Sequence, residues 1–409
     1  MLYQNMEFSE TMHSVLSDRI SALSESQTIA MAKKARELAA KGYDVINLSF
    51  GEPDFQTPQH IKDAAKKAID DGYTFYTPVA GYPELRKAIA EKLQNENSLP
   101  FAAENIVVST GAKQSIANAV MCLVNPGDEV IIFSPYWVSY EEIVKLAEGV
   151  PVQIMGRIEN QYKVTPQQLE NAITSNTKLI MYSSPCNPTG SVFTKDELEA
   201  FAAIIEKHPQ VHVIADEIYE YINFSGQHYS MARFDSIRDR VITINGFSKG
   251  YAMTGWRVGY MAATREIADA CDKMQSQITS GTCSIAQKAA YAAVTGGNEA
   301  AKMMTEAYKR RRDLVLEKMN EIPGIKTYVP EGAFYIFPDV SDYFGKSAGG
   351  VEINSSRDLA LYLLTDAHVS LVSGDAFGAP QCIRFSFAAS DEKLTEAMKR
   401  IKNSLAKLK

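Results

Sequence analysis

"RVITINGFSKGYAMTGWRVGY", Arg240 to Tyr260, decides how this chain folds. Val241, Ile242, Thr243 and Ile244 form a short β-branched run, which predicts a strand buried on both faces, as parallel sheets require. The run ends at Ser248 and Lys249, and Arg257 follows closely among glycines and aromatics. Two cations at the end of a buried strand need an anion, a ligand or a reaction beside them.

Outward from this stretch, strands and helices alternate. Upstream, "VHVIADE" (211–217), "TKLIMYSSP" (177–185), "DEVIIFS" (128–134) and "NIVVSTG" (105–111) read as further strands. Between them, "AKQSIANAVMCLV" (112–124), "EEIVKLAEG" (141–149) and "TKDELEAFAAIIEKH" (194–208) read as helices. The last has Thr194 placed as N-cap and Glu197 at the capping-box position. "TPQHIKDAAKKAIDDG" (57–72) and "YPELRKAIAEKLQNEN" (82–97) are helices with polar faces, and "VGYMAA" (258–263) is one more short strand. This pattern predicts an α/β fold around a mainly parallel sheet, over residues 51–297.

The ends of the chain differ in character. "QTIAMAKKARELAAKG" (27–42) is helical and stops at Gly42, and "YDVINLSFG" (43–51) is a strand running into a loop. A long helix, "AAKMMTEAYKRRRDLVLEKMNEI" (300–322), precedes two antiparallel strand candidates, "GIKTYVPEGAFYIFPDV" (324–340) and "CIRFSFAAS" (382–390). Residues 298–409 therefore read as a linker helix and a smaller α+β domain, which residues 1–50 complete. The expected loose stretch is "YFGKSAGGVEINSS" (343–356).

Bulk properties exclude several classes. The 409 residues suit two domains, and 45% hydrophobic with 22% charged residues is an ordinary globular balance. A net charge of −7 speaks against a nucleic-acid partner, and no apolar run reaches membrane-spanning length. The opening residues lack the pattern of a signal peptide, and five scattered cysteines (122, 186, 271, 283 and 382) include no CxxC pair. A cytoplasmic protein without disulfides or a metal site is expected.

Open α/β sheets bind ligands at the carboxyl ends of their strands. Here those ends carry Ser109-Thr110-Gly111 at a helix start, Asn187, then Asp216 with Glu217 and Tyr219, then Ser248 and Lys249. Taken singly, an Asp is a cap, an Asn a turn residue and a Lys a solvated surface group. Together they supply what pyridoxal phosphate needs: an amine for a Schiff base, an acid for the pyridine nitrogen, and donors for phosphate and phenolate.

These residues lie in a known pattern. "LSFGEPDF", "YTPVAGYPELR", "STGAKQ", "SPYWVSY", "SSPCNPTG", "ADEIYEY", "SKGYAMTGWRVGY", "PEGAFYIFP" and "IRFSFA" occur in family order over nearly the whole chain. The chain thereby resembles the class I, fold-type I aminotransferases, in particular the bacterial aspartate aminotransferases. The resemblance implies that Lys249 is the Schiff-base lysine and proton carrier, and that Asp216 pairs with the pyridine nitrogen. It implies phosphate binding by Arg257, Ser248, Gly111 and Ala112, with Tyr76 reaching the phosphate in a neighbouring subunit of a homodimer. Tyr219 and Asn187 would bond the 3′ oxygen, and Trp137 would stack on the ring.

For the substrate, the resemblance implies that Arg384 grips the α-carboxylate beside Asn187, Trp137 and the Gly51 backbone. Lys113 and Thr28 would receive a side-chain carboxylate, favouring aspartate as donor and 2-oxoglutarate as acceptor. Relatives that also use prephenate often carry "KPSAT", where this chain has "SESQT": Ser24 replaces the lysine and Glu25 the proline. Prephenate binding should weaken accordingly, unless Arg19 compensates. Glutamate, aromatic or alanine donors remain as alternatives within the family. A nicotinamide dehydrogenase would need GxGxxG after its first strand, and a ligand-sensing regulator would need a DNA-binding module.

Overall fold

The computed structural model describes residues 15–24 and 27–409. Seven strands form the large sheet: β1 (Ile106–Ser109), β2 (Glu129–Ser134), β3 (Val150–Met155), β4 (Thr177–Ser183), β5 (His212–Asp216), β6 (Val241–Gly246) and β7 (Gly259–Ala262). Their order is β1-β7-β6-β5-β4-β2-β3. Only β7 runs against the rest, paired antiparallel with both β1 and β6, so the sheet is mainly parallel as expected.

Side-chain alternation along the strands divides the interior in two. Val108, Ile131, Ile180, Val213 and Tyr260 pack on one face of the sheet. Their chain neighbours Val107, Ile132, Met181, Ile214 and Met261 pack on the other. The apolar run in each strand is thus two interleaved period-2 patterns, and each fully buried aliphatic side chain contributes about 1.5–3 kcal/mol. Thr194 caps the helix Lys195–Glu206 reciprocally with Glu197. The helix Gln27–Ala40 ends just before Gly42, at φ +93°.

Outside the large sheet, Val372–Ser373, Ile383–Ser386 and Tyr335–Ile336 form a three-stranded antiparallel sheet. Ile46–Asn47 pairs parallel with Val369–Ser370. Met31, Ala35, Ile46 and Leu48 share a core with Val315, Leu359, Phe385 and Leu394, so N-terminal residues do pack with C-terminal ones.

Two expectations need correction. The stretch 343–356 is ordered: Lys346–Ala348 and Val351–Ile353 pair as a hairpin. Gly349 and Gly350 turn it with φ +56° and +83°, and two-residue hairpin turns with positive φ at both positions favour glycine pairs. In addition, "VPVQIM" forms β3, a strand the sequence reading passed over. Pro151 is tolerated there because β3 lies at the sheet edge, where one row of backbone donors has no neighbour to serve.

Candidate active site

Parallel pairing aligns the strand ends. Ser183 is in register with Asp216, and Asp216 with Ile244, so the loops after β4, β5 and β6 open onto one edge of the sheet. A cleft of about 280 Å³ lies there. From the large sheet it is lined by Asn187, Asp216, Tyr219, Ser248, Lys249 and Arg257. The helix Ala112–Leu123 adds Ala112 and Lys113, and Trp137 comes from the loop after β2. Gly51, Thr28 and Arg384 close it from the N- and C-terminal segments.

Lys249 Nζ donates to the Gly51 carbonyl at 2.5 Å. Burial lowers its pKa to about 8, reinforced by the Arg384 and Arg257 charges and opposed by Glu52 and Asp216. Desolvation, more than the neighbouring cations, thus frees the amine. Asp216 shows the converse: burial raises its pKa to about 6, against the hydrogen bonds from the Tyr140 hydroxyl (2.7 Å) and the Ile218 N–H (3.2 Å).

Gly111 ends the strand-to-helix turn at φ +85°, and a Cβ there would lie 2.8 Å from Arg257 Cζ. A side chain at this position would displace the guanidinium. No side chain caps the helix that begins at Ala112, so its first N–H groups are left for a ligand or solvent. Arg257 Nη1 donates to the Thr254 carbonyl at 2.8 Å. Cation and helix start together form an anion cradle.

Arg384 is 2% exposed. Its Nη1 donates to Asn187 Oδ1 (2.9 Å) and its Nη2 to the Ser49 carbonyl (2.6 Å), while Nε has no partner. Its guanidinium lies over the Tyr335 ring at 4.6 Å. Lys113 Nζ sits 4.8 Å over the Trp137 ring, its pKa lowered by burial and then by Arg257. Tyr219 and Tyr335 share a hydroxyl–hydroxyl hydrogen bond of 2.7 Å.

Twelve of the expected site residues therefore meet in the cleft, with Gly111 directly behind Arg257. Tyr76 does not join them: it is 96% exposed on the surface of this chain. Arg19 does not reach the cleft either, because its guanidinium pairs with Glu148 at 3.0 Å. Ser24 uses its N–H on Glu142 at 2.8 Å, and Glu25 lies outside the described residues. Cys186 is a buried packing residue whose thiol pKa is raised by burial.

Sequence reasoning missed Tyr140, Tyr335 and Ser49. Tyr140 and Tyr335 stood inside quoted motifs, and only their hydroxyl partners reveal a role. Glu217, adjacent to Asp216, belongs to a separate buried group: it meets His228 at 2.9 Å, while Glu220 meets Lys92. Two acids face two bases there, a charge-balanced set.

Comparison with known proteins agrees with this geometry. The sequence model of the family described as "Aminotransferase class I and II" matches residues 43–401. A Cereibacter sphaeroides protein named aspartate/prephenate aminotransferase is 48% identical over 389 residues, covering 94% of this chain and 97% of its own length. The Bacillus subtilis aspartate aminotransferase is 43% identical, with 96% and 99% covered. The crystal structure of the aspartate aminotransferase from Rhizobium meliloti superposes with a TM-score of 0.93 at 42% identity, covering 96% of this chain and 99% of that one. The chain belongs to the class I and II aminotransferase family.

Proposed function

We propose that this protein is a pyridoxal phosphate-dependent aminotransferase that moves the amino group of L-aspartate to 2-oxoglutarate, yielding oxaloacetate and L-glutamate. The observation that carries this reading is one cleft holding a half-buried amine, a buried acid, an anion cradle with an exposed guanidinium, and a second guanidinium that is buried. The names of the relatives at 43–48% identity point the same way.

The residues present fit the cofactor. Gly111 leaves the space in which Arg257 sits, the helix start offers free N–H groups, and the donor set contains one acid and one low-pKa lysine. Arg257, Ser248 and the backbone at Gly111 and Ala112 would hold the phosphate, and Asp216 would face the ring nitrogen. Tyr219 and Asn187 would serve the 3′ oxygen, and Trp137 would cover the ring. When bound, pyridoxal phosphate supplies an aldehyde carbon for the amino group and an electron-withdrawing ring for the substrate Cα.

The chain's own residues do the rest. Arg384 binds the α-carboxylate as a planar fork, and its unpartnered Nε offers a further donor. Lys113 and Thr28 orient the side-chain carboxylate. Lys249 Nζ takes the proton from the substrate Cα and returns one to the Cα of the product formed from the keto acid. Thr28 and Ile29, from the helix Gln27–Ala40, stand at the cleft and exclude water when it closes.

Of the described residues, 51–297 form the cofactor-binding domain and 27–50 with 298–409 the smaller one, while Arg19 and Ser24 lie against Glu148 and Glu142 of the larger. The working form is a cytoplasmic homodimer in which the exposed Tyr76 of each subunit completes the other's phosphate site. With Arg19 bound to Glu148 and serine at position 24, prephenate is a poor substrate. The test is the absorbance of the purified, cofactor-loaded protein on adding L-aspartate without keto acid. Loss of the yellow band with stoichiometric oxaloacetate is expected. A yellow band indifferent to aspartate removes the substrate, and a protein that takes up no pyridoxal phosphate removes the whole reading.

A further inference from the structure

We infer that Tyr140 is a positioning residue for Asp216, holding that carboxylate ionised and fixed in orientation for the cofactor's ring nitrogen. The inference rests on the cofactor assignment above. Tyr140 lies on the helix Ser139–Leu146, three residues after Trp137. Its N–H donates to the Trp137 carbonyl at 2.9 Å, and the two rings meet edge to face at 5.6 Å. From there its hydroxyl reaches the end of β5 and donates to Asp216 Oδ2 at 2.7 Å. Tyr140 is 1% exposed and Asp216 5%. One short turn therefore supplies both Trp137, which lines the cleft, and the hydroxyl that fixes the acid.

The choice of donor matters. The groups near Asp216 are Lys249, Glu217, Tyr219 and Cys186, and Lys249 is the sole cation among them. Burial raises the pKa of the acid, and the Tyr140 hydrogen bond counters it. A lysine or arginine in place of Tyr140 would also favour ionisation, but it would neutralise the charge that a protonated ring nitrogen requires. A phenol favours the anion while leaving its charge intact. Burial also pushes the pKa of Tyr140 itself well above the ordinary phenol value, so its proton stays in place.

Tyr140→Phe tests the role, because it removes one oxygen and keeps the ring. Wild-type and variant holoenzymes are compared by equilibrium binding of pyridoxal phosphate and by nitrogen NMR of ring-labelled cofactor. The variant should bind the cofactor roughly tenfold more weakly, the range for a lost hydrogen bond to a charged group. Its ring-nitrogen signal should move from the protonated towards the neutral position, and kcat should fall while KM stays nearly unchanged. A wild-type protein that binds no cofactor overturns the cofactor assignment. A wild type that binds it, beside a variant with unchanged affinity and unchanged nitrogen signal, overturns the role of Tyr140. Should Tyr140→Phe fail to fold, Tyr140→His and Tyr140→Leu provide a pair with and without a donor, and identical nitrogen signals in that pair overturn the role equally.

Discussion

Arg384 Nη1 donates to Asn187 Oδ1 at 2.9 Å, joining the small antiparallel sheet to the loop after β4 across 197 residues of chain. The same guanidinium reaches the Ser49 carbonyl, so three distant segments converge on one buried cation. A lysine cannot present two parallel donors and a stacking plane. Arg384→Lys should lower kcat/KM for aspartate about a hundredfold or more, given ~1.5–3 kcal/mol per charge-assisted hydrogen bond. Steady-state kinetics on the folded variant checks this, and a loss below about fivefold would remove Arg384 from carboxylate recognition.

Lys249 has a pKa near 8 because it is buried, against 10.5 for a free lysine. Its neutral fraction therefore rises as pH climbs through 8 and saturates above it. Holoenzyme formation from cofactor-free protein should speed up through pH 8 and level off above about pH 9. Stopped-flow absorbance across the pH range decides the point: a rate still climbing past pH 10 means the amine titrates like a surface lysine.

Gly111→Ala places a Cβ against the Arg257 guanidinium at a positive φ. The backbone strain alone is of order 1–3 kcal/mol, and the displaced cation should weaken cofactor retention on dialysis. Arg257→Ala should weaken retention without the loss of thermal stability. Equal behaviour of the two variants would show that backbone strain at Gly111 is unimportant.

Ser24→Lys restores a cation where Arg19 is already committed to Glu148. Prephenate turnover should rise several-fold with aspartate kinetics nearly unchanged. Competition assays with the two substrates measure the ratio, and an unaltered ratio would place the prephenate determinant elsewhere.

Tyr76 is tested by subunit mixing. Lys249→Ala is expected to be inactive and Tyr76→Ala impaired. Hybrids of the two contain one site with an intact Lys249 and an intact Tyr76 from opposite subunits. Activity of the exchanged mixture should exceed the mean of the parents. Strict averaging would mean that each Tyr76 serves its own chain or none.

The architecture was legible where one physical rule dominates. β6 could be read from Val241 to Ile244 because all four residues are β-branched and three are apolar, as a strand covered on both faces favours. The helix at Lys195 could be read because Thr194 and Glu197 satisfy its free N–H groups locally. β3 was not legible, since Pro151 breaks the pattern and only an edge position excuses it. The hairpin at 346–353 was overlooked although its Gly349-Gly350 pair signalled a tight turn; its exposed strands lack an apolar face to advertise them.

The site divides in the same way. Residue identity and motif order determined which groups take part: Lys249, Asp216, Asn187, Arg257 and Arg384 were all named from the sequence, because amine, acid and guanidinium chemistry belongs to the residue type. Tertiary structure alone decided their state and partners. The amine and acid acquire pKa values near 8 and near 6 through burial, and burial is a property of everything packed around them. Tyr140 meets Asp216, and Arg384 meets Asn187, because parallel strand register and a second sheet bring distant segments together. Desolvation and hydrogen bonding act through space, so no local stretch of sequence encodes them.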